Sequence, residues 1–292
     1  MPGPVSMVNA LTFDVEEYFH AEVFVGVVRP EEWAGLESRV VETTGRLLEQ
    51  LAETGTAATF FVLGWVAARH PSLVRAIHER GHEIACHGYD HQMITRQSRT
   101  QFAEDVRRAK KTLEDTAGVS VVGYRAPTFS VVRETLWSLE VLAECGFQYD
   151  SSIFPIVHDR YGISDAGRFP FRLMVAPGLE IIEFPLSTVS RFGWRCPIAG
   201  GGYFRLFPYH FTRWAIRHLN ERERQPAIVY LHPWEFDPGQ PRLPIGRVAQ
   251  LRHSMNTRAT GGRLSRLVRE FRFATVRDVL AGGGVLPARN VA

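Results

Sequence analysis

Hydrophobic and polar positions change their period repeatedly along this chain, from about two residues in short runs to about 3.6 in longer ones. Near the start, Leu11, Phe13 and Val15 alternate with Thr12, Asp14 and Glu16, which predicts a half-buried strand over 8–15. Residues 38–55 then carry Val40, Val41, Leu47, Leu48 and Leu51 on a helical stripe stopped at Gly55. A strand follows at 57–64, and then a helix at 70–81 with Pro71 near its start and Gly81 after its end. Further on the pattern predicts a strand at 82–87, a helix at 98–118, a strand at 121–127, a helix at 133–146 and a short strand at 147–150. From 151 to about 206 it loosens into Pro- and Gly-rich loops with one strand at 179–185, an irregular insertion. Order returns with a helix at 208–224, a strand at 227–232, and a terminal helix and strand within 264–276.

Strands alternating with helices imply a largely parallel sheet covered by helices. Reactive side chains at the ends of several strands favour a (β/α) barrel, where such ends share one rim. A doubly wound open sheet is the weaker alternative, because no Gly-rich phosphate loop follows the first strand.

The 292 residues read as one domain, and the formal charge of +3 gives no reason to expect nucleic acid as a partner. All but two of the 34 basic residues, Lys110 and Lys111, are arginine, and many lie between Arg242 and Arg277. That segment reads either as a solvated basic face or as a groove for an anionic polymer. No run of about 18 apolar residues predicts a membrane span, and the N-terminal stretch shows no leader pattern. Cys86, Cys145 and Cys196 are scattered, which suits a reducing compartment, so the expected location is cytoplasmic.

The chemistry gathers in four places. "LTFDVEEYFH" (11–20) puts Asp14, Glu16 and Glu17 within four positions, and crowded carboxylates resist burial without a counter-charge. "CHGYDH" supplies His87 and His91 at an i, i+4 spacing; on a helical turn this sets both imidazoles on one face, as ligands for one cation. "YRAP" supplies Arg125 and "YLHPWE" supplies His232. Two imidazoles and one carboxylate suit a catalytic divalent metal, with a second carboxylate free to take a proton from water.

With those motifs in this order, the chain resembles the polysaccharide deacetylase family with the NodB homology domain, over roughly residues 8 to 276. "DVEEYFH", "YRAPTFS", "YDSSIFP", "GGGYFRLFP" and "HPWEFDP" are similar to the members found with exosortase and exopolysaccharide gene clusters. The resemblance implies a distorted, often seven-stranded (β/α) barrel. It also implies hydrolysis of N-acetyl, sometimes O-acetyl, groups on carbohydrate polymers or their oligosaccharide precursors. Carried over by motif, Asp14 is the general base, Glu16, His87 and His91 hold the metal, Arg125 orients the base, and His232 protonates the departing amine. Asp150 of "YDSS" is a further candidate for tuning His232. Zn2+ is the first expectation for the metal, with Co2+, Ni2+, Fe2+ or Mn2+ as alternatives. Many members carry two adjacent aspartates, whereas here the second acid is a glutamate two positions on, which leaves Glu17 open as an alternative ligand. A polymer substrate and a cytoplasmic enzyme would be reconciled by a lipid-linked precursor at the inner membrane face.

Two other functions keep part of this reading: an amidase on a small cyclic amide, and a carbohydrate-binding protein with a dead metal site. The remaining histidines, His20, His70, His78, His82, His210, His218 and His253, read as surface or strand-edge residues, and His158 sits in a loop that could rim the site. Trp194, Trp234 and Tyr203 are candidates to stack on sugar, and Phe60, Phe61 and Phe129 read as core. "GGGYF" (200–204) reads either as a close backbone approach to sugar or as a tight turn.

Overall fold

The structure, a computed structural model, describes residues 7–191, 193–198 and 200–290; the first six residues of the stretch read for a leader lie outside them. The strands are β1 (Val8–Val15), β2 (Thr59–Val62), β3 (Glu83–Cys86), β4 (Gly123–Tyr124), β5 (Tyr149–Asp150), β6 (Phe171–Ala176), β7 (Leu179–Glu183), β8 (Thr188–Arg191), β9 (Trp194–Pro197), β10 (Ile228–Leu231), β11 (Arg272–Ala274) and β12 (Ala288–Asn290). The helices are α1 (Val40–Ala52), α2 (Gly64–Arg69), α3 (Pro71–Glu79), α4 (Arg99–Ala117), α5 (Trp137–Glu144), α6 (Gly201–Leu206), α7 (Tyr209–Arg217), α8 (Arg247–Ser254), α9 (Thr257–Glu270) and α10 (Val276–Gly282).

The main sheet runs β10-β1-β2-β3-β4-β5-β7-β6-β12, with β11 beside the start of β1. From β10 to β7 all neighbours are parallel, so seven strands point their C-terminal ends the same way. Among the described residues no ladder joins β7 back to β10. Instead the Ser187 hydroxyl accepts from Ile228 N–H at 2.8 Å, and Gly200 bridges to Tyr230. The result is a mixed α/β distorted barrel. Gly200 has φ +142°, and a Cβ there would lie 1.8 Å from the Tyr230 carbonyl oxygen, so only glycine permits this closure.

Period two holds in β1, but its meaning differs from the half-buried strand expected. Leu11, Phe13 and Val15 pack outward into the main core with α1 residues such as Leu47 and Leu51. Ala10 joins Phe61, Ala85, Tyr149 and Ile228 in a separate inner cluster. Thr12 and Asp14 also face inward, bonded to the buried Arg125. The polar face of β1 therefore lines a barrel interior rather than meeting water.

The segment 151–206 contains more regular structure than its loosened pattern predicts. β6 pairs antiparallel with β7, β8 and β9 form a hairpin, and "GGGYF" opens α6 rather than forming an isolated turn. Phe171 and Leu173 do alternate with half-exposed or exposed Arg172 and Met174, but surrounding Pro and Gly obscure that signal in the sequence. Conversely, the strand expected at 121–127 shrinks to Gly123–Tyr124, because Arg125 already turns into the site.

Candidate active site

Asp14, Glu16, His87, Arg125 and His232 all stand at or just beyond the C-terminal ends of β1, β3, β4 and β10. Asp14, Glu16, His87, His91, Thr128, Tyr230, His232 and Trp234 line a single hollow of about 160 Å³.

Three crowded carboxylates coexist because each has its own counterpart. Asp14 Oδ1 accepts from Arg125 Nη1 at 2.7 Å. Arg125 is fully buried; it also donates to Thr12 Oγ1 at 2.8 Å, to the Ser151 carbonyl at 3.0 Å and to Ser151 Oγ at 2.9 Å, and its guanidinium lies 4.1 Å over the Phe61 ring. That net of bonds fixes the guanidinium plane, and through it the Asp14 carboxylate. Glu17 turns away from the hollow altogether. It accepts from the Ser38 hydroxyl and from Arg39 and Val40 N–H (2.9 and 3.2 Å), thus capping the start of α1.

Glu16 is the carboxylate that faces the imidazoles. Its Oε2 lies 2.7 Å from His91 Nε2 and 3.9 Å from His87 Nε2. Burial alone would raise the Glu16 carboxyl, but the nearby imidazoles, His91 foremost, outweigh it and hold the group well below the carboxylate range. Its Oε1 accepts from Trp234 Nε1 at 3.0 Å, whereas the buried Oε2 meets only the two imidazoles. His87 Nδ1 lies 2.8 Å from the Arg125 carbonyl; because a carbonyl only accepts, that nitrogen carries the proton and Nε2 presents its lone pair to the hollow. Burial pushes the His87 pKa down to about 4, favouring this neutral form. The donor atoms of Glu16, His87 and His91 lie within 4.8 Å of one another. A buried carboxylate oxygen facing two imidazole nitrogens is the donor set a divalent cation would suit.

The pair does not meet through a helical turn, as its spacing suggests. Gly88 and His91 both take positive φ (75° and 52°), and this left-handed loop folds His91 back until the rings lie 5.4 Å apart.

On the other side, His232 Nε2 is 3.9 Å from Asp14 Oδ2 and 3.8 Å from Glu16 Oε1. Its Nδ1 pairs with Glu235 Oε1 at 2.6 Å, and Glu235 is held in turn by Arg205 Nε at 2.7 Å. Burial alone would lower the imidazole, but the bond to Glu235 and the surrounding carboxylates raise it to about 9. Sequence reasoning missed Glu235 and Arg205; "HPWE" placed a carboxylate three positions after the histidine, and that was the available signal.

Asp150 does not tune His232. It accepts from Ser152 Oγ at 2.6 Å and Ser152 N–H at 3.1 Å, behind Arg125, and it faces Glu183. Burial and the neighbouring Asp150 raise the Glu183 carboxyl well above its usual range. A proton on its otherwise unpartnered Oε2 lets the two acids share one charge.

His20, His82 and His253 are buried rather than superficial. His20 Nδ1 accepts from Glu17 N–H at 3.1 Å, and its ring stacks on His91 at 6.0 Å. Trp234 lies between His232 and His253 (4.9 and 4.5 Å), while Trp194 stands 82% exposed on the β8–β9 hairpin, away from the hollow. Thr128 and Phe129 hold consecutive left-handed conformations at its wall (φ 54° and 52°), strain of the kind found at functional sites.

Residues 8–149 match the family model described as polysaccharide deacetylase, and residues 151–281 match a domain of unknown function, DUF3473. A peptidoglycan deacetylase-like protein of Gibberella zeae is 34% identical over 111 residues, covering 37% of this chain and 32% of that protein. A peptidoglycan-N-acetylglucosamine deacetylase of Listeria monocytogenes is 31% identical over 91 residues, covering 31% of this chain and 20% of that protein. The matches thus span less than half of these relatives' own length. A crystal structure of a candidate polysaccharide deacetylase from Mycobacterium smegmatis superposes with a TM-score of 0.65 at 24% identity, covering 98% of this chain and 94% of that one, which speaks to the fold alone.

Proposed function

Because this chain belongs to the polysaccharide deacetylase family, we propose that it removes N-acetyl groups from a carbohydrate by hydrolysis. The observation that supports this best is the placement of Asp14 between a buried guanidinium and His232, beside the Glu16–His87–His91 donor set. Those three side chains would hold a divalent cation, with Zn2+ suited to two nitrogens and one oxygen. When bound, it supplies Lewis acidity toward the acetamide carbonyl and makes water easier to deprotonate.

The chain's own residues do the rest. Asp14, oriented by Arg125, takes a proton from the attacking water. Water oxygen bonds to the acetyl carbon as the C–N bond breaks. His232, held protonated by Glu235, gives its proton to the departing nitrogen, so acetate and a free amine leave. Thr128 lines the hollow, and a backbone N–H near it would donate to the carbonyl oxygen as charge gathers there. The cleft continues beyond the reacting centre, which favours an oligosaccharide over a small cyclic amide.

We further assign the carbohydrate to exopolysaccharide assembly, on the resemblance of "YDSSIFP", "GGGYFRLFP" and "HPWEFDP" to members found with such gene clusters. A lipid-linked precursor presented at the inner membrane face would place the enzyme in the cytoplasm; among the described residues no helix is long and apolar enough to cross a membrane.

The test is metal content measured beside acetate release from a defined N-acetylated oligosaccharide. Asp14→Asn should keep the metal and lose about 10²- to 10⁴-fold in turnover. Full turnover in that variant would remove Asp14 from the reaction.

A further inference from the structure

The hollow at the metal donors opens into a second one of about 440 Å³, and the two share Ala21, Glu22, Thr128, Tyr161, Gly202 and Trp234. They form one continuous cleft. The lining of the second hollow, but not of the first, includes Arg160 of the 151–170 segment and Arg252 of α8.

The charge there is unbalanced. Glu22 is the one carboxylate on the described lining of the second hollow, and it is already paired with Arg96 at 3.2 Å. Asp159 lies 2.9 Å from His158 Nδ1 but 4.0 Å from Arg160 Nε, too far for a hydrogen bond. Arg252 has no carboxylate within ion-pair distance among the described residues, and it lies close enough to His158 to oppose its protonation. Two guanidiniums thus line the cleft, Arg252 with no ion-paired carboxylate among the described residues and Arg160 with Asp159 only at 4.0 Å. The same lining carries stacked aromatic rings: His158 stacks on Tyr161 at 3.8 Å, and Trp234 is stacked between His232 and His253.

This narrows the Arg-rich segment, read from sequence as a solvated face or as an anion groove. Arg263 donates to the carbonyls of Phe204, Arg205 and Phe207 and is structural. Arg266 pairs with Glu270, and Arg269 lies 3.6 Å from Glu53. Arg252 is the member that reaches the cleft.

We propose that Arg160 and Arg252 form an anion subsite, so that the substrate carries a carboxylate or phosphate on the sugar neighbouring the one that is deacetylated. Guanidinium is suited to both groups because its paired N–H donors match two oxygens. As a claim about specificity, this rests on the deacetylase reading, but the binding it predicts is measurable without turnover.

The experiment compares three short N-acetylated oligosaccharides, identical except that the neighbouring sugar is neutral, a uronate or a 6-phosphate. Affinity is measured by calorimetry and acetate release in parallel, for the wild type, Arg160→Gln/Arg252→Gln and Arg160→Lys/Arg252→Lys. The wild type should bind at least one charged oligosaccharide about tenfold more tightly than the neutral one. The glutamine pair should lose that preference through KM while keeping kcat on the neutral oligosaccharide, and the lysine pair should retain part of it. Whichever charged form wins identifies the group. Equal affinities in the wild type, or a preference that survives in the glutamine pair, would overturn the subsite. A charge preference with no acetate released would leave the subsite standing and remove the hydrolase reading instead.

Discussion

The two sides of the cleft solve their electrostatics differently. On the side of β1 and β3, Glu16, His87 and His91 converge, and the buried Glu16 Oε2 is turned to the two imidazole nitrogens, the atoms a cation would take. On the side of β10, Glu235 pairs with His232 Nδ1 and Arg205 Nε and accepts from His232 N–H at 3.1 Å. The first side is completed only by something bound; the second is complete in itself. Trp234 Nε1, donating to Glu16 Oε1, is the direct hydrogen bond between them. A side that awaits a ligand should fail by losing it, and a self-paired side should fail by changing protonation.

The largest expected effect is on the first side. His87→Ala removes a buried nitrogen whose tautomer is fixed, so bound metal should fall to background in elemental analysis. Acetate release should drop about a thousandfold or more, the several kcal/mol that a Lewis acid supplies. Glu235→Gln, across the cleft, should keep its metal. If that variant lost metal too, the contrast between the sides would be wrong.

Glu235→Gln tests the second side by its pH profile. Burial pulls the His232 pKa down, and the Glu235 bond with nearby carboxylates more than reverses this, to about 9. As an acid, His232 works below its pKa. Replacing Glu235 by a neutral amide lowers that pKa, so the alkaline limb of kcat should move to lower pH and cost about 10- to 100-fold near pH 8. An unmoved limb would mean that His232 is not the titrating acid.

The same contrast marks what the sequence could reveal. "TFDVEE", "HGYDH", "RAP" and "YLH" lie at strand ends that one-dimensional periodicity finds easily, so the rim was legible. Glu17 was not separable from Glu16, because its role depends on where α1 begins, 23 residues away in its bond to Val40. Arg205 reaches Glu235 across 30 residues from a helix that opens with glycines, a composition that hides helices. Asp150 was misassigned because a strand-end acid next to serines looks functional; its real partner, Glu183, is brought to it by the pairing of β5 with β7. The half-buried reading of β1 failed for a related reason: in a barrel, an inward polar face and a solvent-facing one give the same alternation.

Beneath the rim, the Asp150–Glu183 pair allows a third measurement. Glu183 holds its proton well above the ordinary carboxyl value of 4.5. Between those two values the folded chain binds more protons than the unfolded one, so stability falls as pH rises through the interval, by up to about 1.4 kcal/mol per pH unit. Glu183→Gln is neutral throughout and can still donate to Asp150. Its denaturant midpoint should therefore match the wild type at acidic pH and decline less steeply above it. Glu83, whose carboxyl burial also raises, would keep its own share of the slope. Parallel curves for the two proteins would show that Glu183 is ionised.

The smallest effect separates two adjacent glutamates. Glu17 caps α1 through Arg39 and Val40 N–H, where a negative charge also meets the positive end of the helix. Glu17→Gln keeps the shape, loses the charge and can satisfy fewer of the three donors it faces. The expected cost is about 1 kcal/mol, or roughly 2 °C in Tm for a chain of this size. Metal content should stay at the wild-type level, because the side chain points out of the hollow, whereas Glu16→Gln should lose metal with little effect on α1. If Glu17→Gln instead released the metal, the second acid of the motif would be the one at 17, and the first side of the cleft would need rebuilding around it.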